Sequence, residues 1–88
     1  MMKDRETIGI IAGGGKFPFL VAESARNLGI KVVALAHHGE TDPSLAEKVD
    51  TIVWIRLGQL GKLINAFKEN NVKRALMAGT ITKKKMFG

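Results

Sequence analysis

Ile8-Gly9-Ile10-Ile11-Ala12-Gly13-Gly14-Gly15-Lys16-Phe17-Pro18-Phe19 is the stretch that decides the fold. A short apolar run rich in isoleucine stops at three consecutive glycines, and amphipathic sequence then resumes at helical spacing. That order reads as strand, glycine loop and helix, the opening of a nucleotide-binding α/β domain. Glycine adopts positive φ cheaply and lets a ligand approach the backbone. The helix that follows presents unpaired N–H groups and a partial positive charge, which suit a phosphate. The same glycines would equally serve a tight strand-to-helix turn with no ligand.

Working outward, Thr7–Ala12, Lys31–Ala36, Thr51–Ile55 and Arg74–Ala78 read as strands. Each is short, rich in Val, Ile or Leu, and apolar on both faces, as in a parallel sheet covered on both sides. Three helices are predicted between them. Phe17–Leu28 puts Phe17, Val21, Ala25 and Leu28 on one face, with Gly29 just past its end. Pro43–Val49 is a short helix that Asp42 can cap. The third starts at Gly58 or Gln59 and runs to Asn70, with Leu60, Leu63, Ile64 and Phe67 as its apolar stripe.

Strand–helix–strand repetition with short connections implies right-handed crossovers and a parallel sheet. The expected order is 3-2-1-4, half of a Rossmann-type domain in three layers. The first two helices then cover one face and the third covers the other. The topological switch falls between strands one and four, so Gly13–Gly15 lie beside Gly79-Thr80-Ile81-Thr82 at the carboxyl edge. No helix follows strand four, which leaves part of one face uncovered. The expectation is one Rossmann-like domain over residues 1–88, a fragment of a longer two-domain protein or a domain that needs a partner.

Composition narrows the function classes. The chain has 88 residues, 45% of them hydrophobic, which is enough for a packed core and argues against disorder. A domain this size buries only about 60–65% of its unfolded surface. The absence of cysteine excludes disulfides and thiolate metal sites. No apolar stretch approaches the roughly 20 residues of a membrane span, and no signal region precedes the first strand. A cytoplasmic address is expected. The net charge of +6 suits nucleic acid, an anionic membrane face or a phosphorylated substrate. Much of the excess lies in Lys83-Lys84-Lys85, which reads as a solvated tail with no interleaved aromatics, so nucleic acid is not expected.

Several sharper motifs fail. Gly13-x-Gly15 begins the dinucleotide fingerprint, but Pro18 stands at its third glycine, and His37-His38 replace the acid expected after strand two. The Walker pattern fails as well: Gly15-Lys16 would put Ile10 at its first glycine and Phe17 at its Ser/Thr. His37-His38-Gly39-Glu40-Thr41-Asp42 gathers two imidazoles and two carboxylates, but neighbours in an extended chain point opposite ways. It reads as a polar loop ending in a helix cap, where His37 or Thr41 could still touch a ligand. Gly58 and Gly61 weaken the third helix, for close packing or for ligand access. Trp54 reads as core rather than as a binding platform. No nucleophile triad or catalytic carboxylate pair can be assembled.

Four segments taken together carry a resemblance: Ile10-Ile11-Ala12-Gly13-Gly14-Gly15-Lys16-Phe17-Pro18, Ala36 to Pro43, Trp54-Ile55-Arg56-Leu57-Gly58-Gln59-Leu60-Gly61, and Met77-Ala78-Gly79. In this order and spacing the chain resembles the N-terminal domain of LpxI-type UDP-2,3-diacylglucosamine pyrophosphatases. The resemblance implies an enzyme of lipid A biosynthesis that uses Mg2+ to hydrolyse UDP-2,3-diacylglucosamine to UMP and 2,3-diacylglucosamine 1-phosphate. It also implies a separate C-terminal domain that carries the metal-binding catalytic acids, with substrate held between the halves. No catalytic or metal-binding residue is therefore carried onto this chain, which by itself is expected to bind no cofactor and to be inactive. The matched loops imply substrate binding by Ala12, Gly13, Gly14, Gly15, Lys16, Thr41, Gln59, Gly79 and Thr80. A modest positive charge also suits peripheral contact with an inner membrane face. The alternative is a non-catalytic Rossmann-like module that binds a nucleotide or a protein. Valine at Gly13 or Gly15 is expected to harm nucleotide binding more than folding.

Overall fold

A computed structural model describes residues 6–81, and Thr82 and Lys83–Lys85 fall outside them. The apolar runs form four parallel strands: β1 (Thr7–Ala12), β2 (Lys31–His37), β3 (Thr51–Ile55) and β4 (Arg74–Ala78). Their order is β3-β2-β1-β4, one of the doubly wound orders open to right-handed crossovers. β1 pairs with β2 from Thr7↔Lys31 to Ala12↔Ala36, and with β4 from Ile8↔Arg74 to Ala12↔Ala78. Asp50 sets the β2–β3 register: its N–H donates to the Val32 carbonyl at 2.9 Å, and its Oδ2 accepts from the Val32 N–H at 2.8 Å.

Alternation along the strands divides the core in two. Ile10, Ala12, Val32, Ala34 and Ala78 point to the face covered by α1 (Phe17–Asn27) and by Leu45 and Val49. Val33, Leu35 and Ile55 point to the face covered by α2 (Leu60–Glu69) through Leu63, Ala66 and Phe67. Each fully buried Leu, Ile or Val contributes about 1.5–3 kcal/mol. In β2 everything from Val32 to His37 is buried.

Both helices end in the same way. Gly29 and Asn71 take positive φ of 79° and 57°. The next N–H returns to the carbonyl five residues back, Ile30 to Ala25 and Val72 to Phe67, each at 2.9 Å. Ile30 and Val72 thereby pack into the core clusters of their own helices.

The structure refines one sequence expectation and corrects three. The short helix after Asp42 is of the 3₁₀ kind, over Pro43–Lys48. The buried face of α1 is Pro18, Ala22 and Ala25, while Phe17 and Leu28 are 57% and 77% exposed. Small residues let the helix axis approach the sheet, and the large ones are left on the flank. In α2 the stripe likewise rotates to Leu63, Ala66 and Phe67, leaving Leu60 and Ile64 largely exposed. Trp54 is only half-buried and belongs to neither core cluster.

α2 can approach β1 because Gly9 has no side chain. A Cβ at Gly9 would lie 2.6 Å from the Phe67 ring and 3.0 Å from Val72. Gly9→Val is therefore expected to lower stability by about 1–3 kcal/mol, and Phe67→Leu in the same chain should recover part of that loss. Urea denaturation measures both; an unchanged midpoint for Gly9→Val would refute the close approach.

Candidate functional site at the carboxyl edge

Four loops meet where β1 and β4 end. Gly13 N–H donates to the Ala78 carbonyl at 2.8 Å, continuing the β1–β4 ladder past the last paired strand residue. Gly14 and Thr80 then form an antiparallel bridge, with Gly14 N–H to the Thr80 carbonyl at 2.8 Å and Thr80 N–H to the Gly14 carbonyl at 3.2 Å. A Cβ on Gly13 would sit 2.5 Å from the Thr80 carbonyl oxygen, and one on Gly79 would sit 2.6 Å from that of Gly14. Glycine is required at both by backbone contact.

The loop after β2 is tied to the same point. The Ala12 carbonyl accepts from Thr41 Oγ1 at 2.9 Å and pairs with His37 Nδ1 at 2.8 Å. A carbonyl can only accept, so His37 carries its proton on Nδ1. Thr41 Oγ1 also accepts from the His37 N–H at 2.9 Å, so the buried hydroxyl donates once and accepts once. The ring of His37 lines a recess of about 240 Å³ with His38, Glu40, Arg56, Leu57 and Ile81. Gln59 lies at this edge too, but its Oε1 accepts from the Arg56 N–H at 2.7 Å and folds the turn into α2. Gly61 has open space around it, so close packing does not explain it.

The residues marked as candidates from sequence therefore do different work here. Ala12, Gly13, Gly14, Thr41, Gly79 and Thr80 are brought together, with their polar groups largely engaged in building the edge. Gly15 and Lys16 are exposed, and among the described residues their N–H groups have no hydrogen-bond partner. Lys16 caps α1 without a side-chain bond, and Pro18 removes one further donor from the first turn. What faces outward is thus a short arc of N–H groups with the Lys16 ammonium beside it, an arrangement able to hold an anion. Sequence reasoning gave no role to Arg56 or to the Ala12 carbonyl. A carbonyl hub leaves no mark in residue type.

The profile of the LpxI N-terminal domain matches residues 7–88. The chain belongs to the LpxI family. LpxI proteins belong to lipid A biosynthesis. Neither a curated protein nor a solved structure gives a match.

Among the described residues no three His, Cys, Asp or Glu side chains converge. Asp50 holds the start of β3, and Asp42 caps the 3₁₀ turn by accepting from the Ser44 N–H and hydroxyl, both at 2.9 Å. No metal-dependent step is assigned to this LpxI domain. Nor does any described helix have the length and apolarity to cross a membrane.

Two outcomes are expected for these loops. Gly13→Ala should cost about 2–4 kcal/mol, since the Thr80 backbone cannot yield, while Gly15→Ala, at φ 84° in open space, should cost only about 1 kcal/mol. Thermal denaturation that ranked them equally would refute the division. The expectation of binding loss without folding loss accordingly belongs to Gly15 and not to Gly13. Separately, the Ser44 backbone N–H, and then its hydroxyl, hold the Asp42 carboxyl below its ordinary value of 3.8. The cap is then fully present above that value and fades as pH falls through the lowered one. Asp42→Asn should flatten this acid limb in a stability–pH profile, and an unchanged limb would count against the cap.

Proposed function

We propose that this domain is the substrate-binding N-terminal half of a UDP-2,3-diacylglucosamine pyrophosphatase, the enzyme that yields UMP and 2,3-diacylglucosamine 1-phosphate. Family membership supports the pathway. The observation that supports the role is the pair of unengaged N–H groups at Gly15 and Lys16, set at the switch point between β1 and β4. Open parallel sheets bind their ligands at that point. A pyrophosphate ester needs N–H donors and a helix N-terminus rather than a ribose-binding acid after the second strand. His37-His38 in place of that acid therefore favours this ligand over a nicotinamide dinucleotide. The domain supplies binding and no catalytic group; hydrolysis and its Mg2+ belong to the C-terminal domain of the whole protein. A net charge of +6 suits both a phosphate-rich substrate and the anionic face of the inner membrane from which its acyl chains come.

An amide NMR titration with UMP, run beside one with NADH, tests the reading. UMP should shift Gly15 and Lys16 selectively. Lys16→Glu should weaken UMP binding about tenfold at unchanged stability, because an exposed cation beside the anion is replaced by a like charge. Binding of NADH without UMP would overturn the proposal in favour of an oxidoreductase fragment.

A further inference from the structure

Trp54 is the largest apolar residue of the sheet. By alternation it shares the α1 face with Ile52, yet it packs in neither apolar cluster. Its ring lies 5.4 Å from that of His38, centroid to centroid, tilted by 33°. Beside the pair opens a recess of about 600 Å³ lined by His38, Gly39, Glu40, Thr41, Pro43 and Trp54. It adjoins the glycine loop, since a Cβ on Gly14 would stand 2.9 Å from the Glu40 carbonyl. On the other side of His38 and Glu40 lies the smaller recess that Arg56 lines. An aromatic platform, a charged recess and an arc of free N–H groups thus share the carboxyl edge of the sheet, where Trp54 and Ala12 are level through Ala36.

We infer that the recess at Trp54 is a nucleobase subsite: a planar base lies against the Trp54 ring, with His38 and Pro43 at its margins, while the attached phosphate points toward Gly15 and Lys16. The inference rests on the nucleotide reading proposed above and adds to it the residues that would hold the base. A base presents a π-face to an indole whatever its edge groups, so stacking needs no hydrogen bond from the backbone-engaged Thr41. A half-buried tryptophan is already ordered, so little conformational entropy remains to be lost when a ring settles on it.

Trp54 is the sole tryptophan of the chain, which has no tyrosine, so indole emission reports on this recess alone. UMP is titrated into the chain with fluorescence and amide NMR read on the same samples. UMP should quench or shift Trp54 emission saturably, while inorganic phosphate at the same concentration leaves it unchanged. Trp54→Ala should weaken UMP binding at least about fivefold and Trp54→Phe should retain most of it, both followed at the Gly15 amide. UMP that shifts Gly15 and Lys16 with flat Trp54 emission overturns the base subsite and leaves the nucleotide reading standing. A Trp54 response without shifts at Gly15 and Lys16 keeps the subsite and removes the phosphate arc. Silence at both overturns the two together.

Discussion

The backbone of Gly13 and Gly14 lies directly against that of Gly79 and Thr80, and the carboxyl edge depends on this contact. It holds the end of β1 to the end of β4 beyond the last pair of the sheet, and so closes the switch point. Two glycines facing two residues of another loop at bonding distance leave no space for a side chain. The glycine run that first suggests a phosphate cradle therefore serves architecture for two of its three residues. Only after Gly14 does the chain turn outward and free its N–H groups. Backbone contact at such an edge places the next donors rigidly.

The second organising constraint is how closely the helices approach the sheet. α1 comes down on Pro18, Ala22 and Ala25, and α2 lays Phe67 over the bare backbone of Gly9. In each case small groups at the contact decide the helix rotation, and bulk moves to the flank. Phe17, Leu20, Leu60 and Ile64 end largely exposed, as does Met77 on the edge strand β4. Single exposed apolar residues are ordinary on a folded domain.

The family and the geometry divide the chemistry between them. Membership of the LpxI family supplies the lipid A context. The described residues supply a carbonyl hub at Ala12, a short N–H arc, two cations at Lys16 and Arg56, and an aromatic recess. Nothing among them gathers the acids a metal would need. Such an inventory suits recognition and positioning of an anionic ligand.

The sequence by itself determined the strands, their order and the two-sided core. Period, run length and connection length act locally, and crossover handedness then leaves only a few arrangements. It also carried the family, through four loops that share one edge. The tertiary structure alone decided which side of each amphipathic helix is buried. Helical spacing defines an apolar stripe wide enough to be buried at several rotations, and contact with Gly9 or Ala34 selects one. It alone decided that Thr41 and Gln59 bond the backbone, since a side chain's partner lies across the fold and not beside it in the chain. Trp54 shows the limit most plainly. Its position in β3 predicts burial in the core, and only the fold shows it half-buried beside His38, outside both core clusters.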